Sequence, residues 1–238
     1  MKNIKTIFFK EFRYYFNSPI AYIVIVAFLL VNGFFFSTSL FLNNQATIAG
    51  FVSNIPLFFL FFIPAVTMRL FSEEVKSGTI EILTTLPVKD HEIIVGKYLS
   101  AFALLSVALI LTLIHPLTVS FIGDIDSGRI LGTYLGLFLL GACFISVGIF
   151  SSSLTKNQIV AFIICFFVCF SFFIIGKLLI VVPVGLVPLV EFMGMDSHFE
   201  NIAKGIIDSR DLIYYLSVIG FFYMMTLYLV GSRRWRIE

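Results

Sequence analysis

The sequence predicts an all-α polytopic membrane protein with six transmembrane helices, and three observations carry that prediction. Of 238 residues, 59% are hydrophobic and 13% charged, with a mean hydropathy of +1.03, whereas soluble domains carry about 25% charged residues. Six apolar runs reach, or come within one residue of, the roughly 20 residues needed to cross about 30 Å of hydrocarbon. Those runs are blocks rich in Phe, Ile and Leu, with Phe at 30 positions, and lack the alternation of a porin-like barrel. Lipid contact accounts for so much Phe. Cys143, Cys165 and Cys169 all fall inside spans, with neither a disulfide framework nor metal-ligand spacing, and are expected to be small buried apolar residues.

In order along the chain, residues 1–18 form an N-terminal interfacial helix. Lys2, Lys5, Lys10 and Arg13 interleave there with Ile4, Ile7, Phe8, Phe12, Tyr15 and Phe16, the pattern of a basic amphipathic helix. Asn17-Ser18-Pro19 then opens a new helix and does not end a cleavable signal. Spans follow at Pro19 to Leu42, Phe51 to Phe71, Glu92 to Leu117, Ile130 to Ser152, Gln158 to Val182 and Leu212 to Val230. Lysine and arginine divide twelve to four between the two sets of loops, which places both termini and the 69–97 loop in the cytoplasm. Pro64 removes the helical partner of the Leu60 carbonyl, so span 2 is expected to kink, either as a pathway helix or as a packed proline. Gly132, Gly136 and Gly141 open one side of span 4 to another helix, from the same chain or from a second one. His115 is expected to be a satisfied interfacial histidine, and Lys177 to snorkel to the far interface. Leu178 to Val190, uncharged and interrupted by Pro183, Gly185 and Pro188, suits a segment that dips back into the membrane within a 178–211 outer region.

The passage from Arg69 to Lys97 concentrates polar residues between two spans. Ser72 is expected to cap a turn holding Glu73 and Glu74, Gly78 to close it, Thr79 to cap a short amphipathic helix with Ile80, Leu83 and Leu86 on one side, and Asp90 to cap span 3. The run Glu73-Glu74-x-x-Ser77-Gly78-Thr79-x-Glu81-x-Leu83, followed by Leu86-Pro87-Val88 and Gly96-Lys97, resembles the coupling-helix region of ABC-2 type permeases, the membrane subunits of one class of ABC transporter. Ser153 to Gln158, Ser197 to Leu212 and Arg233 to Arg236 resemble the same family, so the likeness covers nearly the whole chain as a single ABC-2 type transmembrane domain. The resemblance implies a cytoplasmic coupling helix between spans 2 and 3, re-entrant outer helices between spans 5 and 6, and docking of the former into a cleft of a separate ABC ATPase subunit, in two copies. It assigns ATPase coupling to Arg69, Glu73, Glu74, Gly78, Thr79, Glu81, Leu83 and Pro87, with the carboxylates meeting donors on the ATPase. The chain is most similar to the small permease of gliding-motility-associated ABC systems. That likeness implies a second permease protomer or an auxiliary membrane subunit with an extracytoplasmic domain, and a multi-pass place in the bacterial inner membrane. Permeases for copper-enzyme maturation and for antibiotics or sodium share most of these motifs.

Several chemistries lack their residues. Gly96-Lys97-Tyr98 and Gly176-Lys177-Leu178 supply neither the Ser/Thr nor the upstream Gly of a phosphate-cradling turn, so ATP and Mg are expected on the partner ATPase and no cofactor, metal or nucleic acid on this chain. There is no HExxH, and the adjacent Asp196-Ser197-His198 does not make a triad. No catalytic residue is expected. Secondary transporters carry ionisable residues at mid-membrane, and no span centre here has one. The expected function is a permease coupling ATP hydrolysis on a partner to export, with a non-transporting membrane scaffold of an ATPase-driven motility complex as the alternative.

Overall fold

The structure, a computed structural model, describes residues 2–43, 52, 54–79, 87–123, 126–177, 183, 185, 187–206 and 208–234. These form helices α1 (Lys2–Asn17), α2 (Pro19–Asn43), α3 (Ile55–Thr67), α4 (Arg69–Ser77), α5 (Asp90–Thr112), α6 (Ile114–Ser120), α7 (Ser127–Leu154), α8 (Gln158–Lys177), α9 (Val187–Met193), α10 (Met195–Ala203) and α11 (Ser209–Arg234). No strand occurs among the described residues. Six helical stretches are long and apolar enough to cross a membrane: α2, α3 with α4, α5 with α6, α7, α8 and α11. The protein is thus an all-α multi-pass membrane protein.

Spans 2 and 4 make the core. Some 72% of the apolar window of each is buried inside the chain, against 17% for span 5, so the outer spans offer their Phe and Ile side chains to lipid. Span 4 (α7) packs against spans 2, 3, 5 and 6 and against α10. Its start is fixed by Asp126, whose Oδ1 accepts from the N–H groups of Gly128 (2.9 Å) and Arg129 (3.3 Å), satisfying donors that a helix cannot pair internally. Span 5 begins similarly, with Ile159 N–H donating to Asn157 Oδ1 at 2.9 Å.

Several expectations are corrected. Span 2 does not give way to a loop at Phe71. One turn past Pro64 the helix breaks at Met68, whose N–H closes on the Pro64 carbonyl at 2.9 Å, and a second helix carries on to Ser77. Ser72 therefore caps nothing: it is buried inside α4 and its hydroxyl donates to the Met68 carbonyl. Burial of Arg69, Leu70, Phe71 and Ser72, with α4 packed against spans 4 and 5, keeps the chain helical where its polar composition suggested a loop. Span 3 is capped one residue earlier than expected. The Lys89 N–H donates to Glu92 Oε2 at 3.3 Å, and Asp90 stands in the first turn, where the helix dipole favours a carboxylate.

Helix α1 lies along the start of span 3, where Ile7 packs on Gly96 so closely that a β-carbon at that position would sit 2.8 Å from Ile7 Cγ2. At the other end of the bundle α10 occupies the glycine stripe of span 4. A side chain at Gly132 would collide with the Ile202 carbonyl and approach Gly205 Cα to 3.0 Å, and one at Gly136 would meet Phe199 at 3.1 Å. Gly141 faces Leu105 and Phe59. All three glycines thus face elements of the same chain. Lys177 finds more than an interface: it pairs with Asp196, and with Glu200 at 3.7 Å. His115 lies against the ring of Phe36, centroids 4.5 Å apart. The three cysteines are free and buried. Most of Leu178 to Val190 lies outside the described residues, as do Ile80 to Leu86, including Glu81 and Leu83.

Candidate functional site

The polar face of α1, the whole of α4 and the first turns of span 3 meet around a cavity of about 250 Å³ lined by Lys10, Glu11, Tyr14, Arg69, Glu73, Glu74 and Lys97, among others. Lys97 is its pivot. Its side chain is 1% exposed, and its Nζ lies 2.9 Å from Glu74 Oε1, 3.2 Å from Glu11 Oε1 and 2.6 Å from the Leu70 carbonyl. An ammonium has three protons, and each has an acceptor here. The Phe71 ring adds a fourth contact, 5.1 Å from the charge. Three separate elements are thereby tied to one nitrogen: α1 through Glu11, the end of span 2 through Glu74 and Leu70, and the start of span 3 through Lys97 itself.

Around the pivot the second layer is more open. Lys10, at the surface, bridges Glu11 (3.4 Å) and Glu74 (3.5 Å). Partial burial works against its charge, but the two carboxylates outweigh it and hold the Lys10 ammonium above its ordinary range. Arg69 is buried, its guanidinium carbon 4.1 Å from the Tyr14 ring centre and 4.4 Å from that of Tyr15. Cation–π contact with two rings stands where a carboxylate partner would. Tyr15 donates to the Val66 carbonyl at 2.9 Å, and burial pushes its hydroxyl pKa up. Tyr14 donates to Glu73 Oε1 at 3.1 Å, and that bond raises its pKa.

Where the helix breaks at Met68, backbone groups lose helical partners inside a region without water, a cost that membrane proteins must cover internally. Ser152 of span 4 covers it. Its Oγ accepts from the N–H groups of Phe71 (3.0 Å) and Ser72 (3.1 Å) and donates to the Met68 carbonyl (2.8 Å).

The residues singled out by sequence therefore fare differently. Arg69, Glu73 and Glu74 come together, with Glu74 Oε1 taken by Lys97 and Lys10 within the chain and its Oε2 buried with no hydrogen-bond partner among the described residues. Gly78 ends α4 with φ of +73°, a left-handed turn that costs other residues strain. Thr79 is exposed beside it, its hydroxyl 2.9 Å from that of Ser77. Pro87 is exposed, across the 80–86 stretch from that turn. Sequence reasoning missed Glu11, Tyr14, Tyr15 and Ser152, and it treated Lys97 as a loop charge. Only Lys97 left a signal, since it stands two turns inside the helix that begins at Asp90.

Among the described residues no group of three or more His, Cys, Asp or Glu side chains is placed to hold a metal ion. No curated protein matches the sequence. A family model described as ABC-2 family transporter protein matches residues 35–206, from the middle of span 1 to just short of span 6. That match takes in the Met68 break, the Gly78 turn and the glycine stripe of span 4, and covers well over half of the chain. The chain belongs to the ABC-2 family of transporter proteins, and it is the membrane-spanning permease part of an ABC transporter, a component that works with an ABC ATPase.

Proposed function

We propose that this permease couples ATP hydrolysis on a separate ATPase subunit to export, and that the segment leaving Gly78 is where the ATPase docks. The observation that carries this reading is the three-way tie at Lys97. A push on the chain beyond Gly78 enters α4, and α4 is joined by ions to α1 and to span 3, so motion at one short segment loads two spans and the N-terminal helix together. Arg69, Glu73 and Glu74 serve in this scheme as the frame that aims the segment, while Thr79, Glu81, Leu83 and Pro87 are the surface offered to the ATPase. The membrane is the bacterial inner membrane, with both termini and this segment cytoplasmic, as the distribution of Lys and Arg supports. Two ATPase copies and a second permease protomer, or an auxiliary subunit with an extracytoplasmic domain, complete the assembly, with ATP and Mg on the ATPase. A gliding-motility or secretion role fits the sequence resemblance best.

The test is recovery of the ATPase with tagged permease from mild detergent. Glu81→Lys reverses one charge on the docking surface. Charge-assisted hydrogen bonds contribute about 1.5–3 kcal/mol, so loss of one weakens association roughly 10- to 150-fold. Gly78→Val forces a branched side chain onto a positive φ and misaims the segment. Glu191→Lys, at the other end of the bundle, should leave recovery unchanged. Normal ATPase recovery with both Glu81→Lys and Gly78→Val would overturn the docking assignment. Export driven by substrate-stimulated ATPase activity separates a transporter from a scaffold.

A further inference from the structure

Far from the Lys97 pivot, a histidine is held in a way that only one of its protonation states satisfies. His198 of α10 is buried, with Nδ1 2.6 Å from Asp211 Oδ1 of span 6 and Nε2 3.0 Å from the Phe192 carbonyl of α9. Both neighbours are acceptors only: an ionised carboxylate and a backbone carbonyl carry no proton to give. A neutral imidazole has one N–H and one lone pair, so either tautomer leaves a lone pair facing an oxygen. The imidazolium donates to both. Asp211 makes the same demand from its side, since it is 3% exposed and its Oδ2 has no hydrogen-bond partner among the described residues. The Tyr214 ring stacks on the imidazole at 4.1 Å, a placement that also favours a cation.

We propose that His198 is a proton-binding site whose occupancy latches α9 and α10 to span 6. The surrounding charges do not provide a substitute. From span 6 the ring meets Asp211, Tyr214 and Tyr215. On its own helix Asp196 is already paired with Lys177 of span 5, and Glu200 lies near Lys177 and Lys204. Glu191 on α9 is exposed, and the Cys143 thiol of span 4 is buried. The imidazolium is thus the one cation among the described residues that touches Asp211. The tyrosines complete the latch, Tyr214 donating to the Met193 carbonyl (2.7 Å) and Tyr215 to that of Met195 (3.0 Å), on either side of the turn between α9 and α10. With the proton bound, α9 is held through the Phe192 carbonyl. When it leaves, one of the two imidazole bonds becomes a repulsion and the attachment of α9 loosens. The sign follows from which state is satisfied: the latch is complete with the proton bound and incomplete without it.

Amide hydrogen exchange on the full chain in lipid nanodiscs tests this, because protection factors divide out the intrinsic pH dependence of exchange. The Gly194 amide, which donates to the Val190 carbonyl at 3.0 Å, reports on the end of α9. Its protection should fall about tenfold between pH 5.5 and 8.5, the scale of one lost hydrogen bond. His198→Phe keeps the stack on Tyr214 and removes the proton, so its protection should be equal at the two pH values. If that variant does not fold, Asp211→Asn should fold and show a flattened response. Imidazole ¹⁵N spectra are tractable with three histidines in the chain, and at pH 5.5 the signal lost in His198→Phe should be that of a doubly protonated ring. Protection in the wild type that ignores pH, a fall that persists undiminished in His198→Phe or Asp211→Asn, or a neutral His198 ring at pH 5.5 would each overturn the proposal.

Discussion

The two ends of the bundle bury charge in opposite ways. At one, Lys97 meets two carboxylates and a carbonyl, every proton has an acceptor, and three elements are tied together at one nitrogen. At the other, His198 meets one carboxylate and one carbonyl, and only its charged form uses both. The difference teaches that a buried cation is a fixed joint or a conditional one according to whether it can lose its proton. The fixed joint stands beside the turn that leaves Gly78. The conditional one joins α9 and span 6 to α10, the short helix that covers span 4.

The most severe way to break the comparison is Lys97→Met, which removes the buried partner of Glu11 and Glu74 and leaves them only the exposed Lys10. Removing one partner of a buried ion pair costs about 3–5 kcal/mol, so the thermal midpoint in detergent should drop sharply. Restoration of part of that loss by adding Glu11→Gln and Glu74→Gln would mark the stranded charges as its cause. A midpoint within a degree of wild type for Lys97→Met alone would mean the joint is not closed.

Gly132→Val attacks the opposite end. Its side chain would displace the Ile202 carbonyl and Gly205, and overpacking of this kind costs about 1–3 kcal/mol. Ile202 is fully buried, so Ile202→Cys should resist thiol reagents in the parent and react in the Gly132→Val background. The Lys97 end should be unaffected, since the two sites share no contact.

Ser152→Ala sharpens the first end without touching a charge. It leaves the N–H groups of Phe71 and Ser72 short of a partner, at about 1–3 kcal/mol, while the Met68 carbonyl keeps the Ser72 hydroxyl. A fall in denaturation midpoint smaller than that of Lys97→Met, with Ser152→Thr nearer to wild type, is the expected result. The smallest effect belongs to Lys10→Ala. Lys10 pairs with the same carboxylates as Lys97, but its side chain is 60% exposed, and exposed pairs contribute about 0–1 kcal/mol. A loss comparable to that of Lys97→Met would show that the pivot is shared between the two lysines.

What the sequence determined by itself is what local physics decides. Span number follows from the length of apolar runs. The left-handed end of α4 follows from a glycine after a polar turn, and the burial of Cys143, Cys165 and Cys169 from their place within those runs. The start of span 3 could be missed only by a residue, because Lys89, Asp90 and Glu92 are neighbours. Tertiary structure alone decided the rest. Ser72 has the composition of a cap, yet burial against span 4 makes it a mid-helix residue. Lys97 lies 86 residues from Glu11, Ser152 is 81 from Phe71, and Thr133 is 70 from the Ala203 carbonyl to which it donates. Periodicity and composition fix which groups must leave water, because that cost belongs to each residue and its neighbours in sequence. They do not fix which oxygen a buried proton meets, because that depends on how the helices come together.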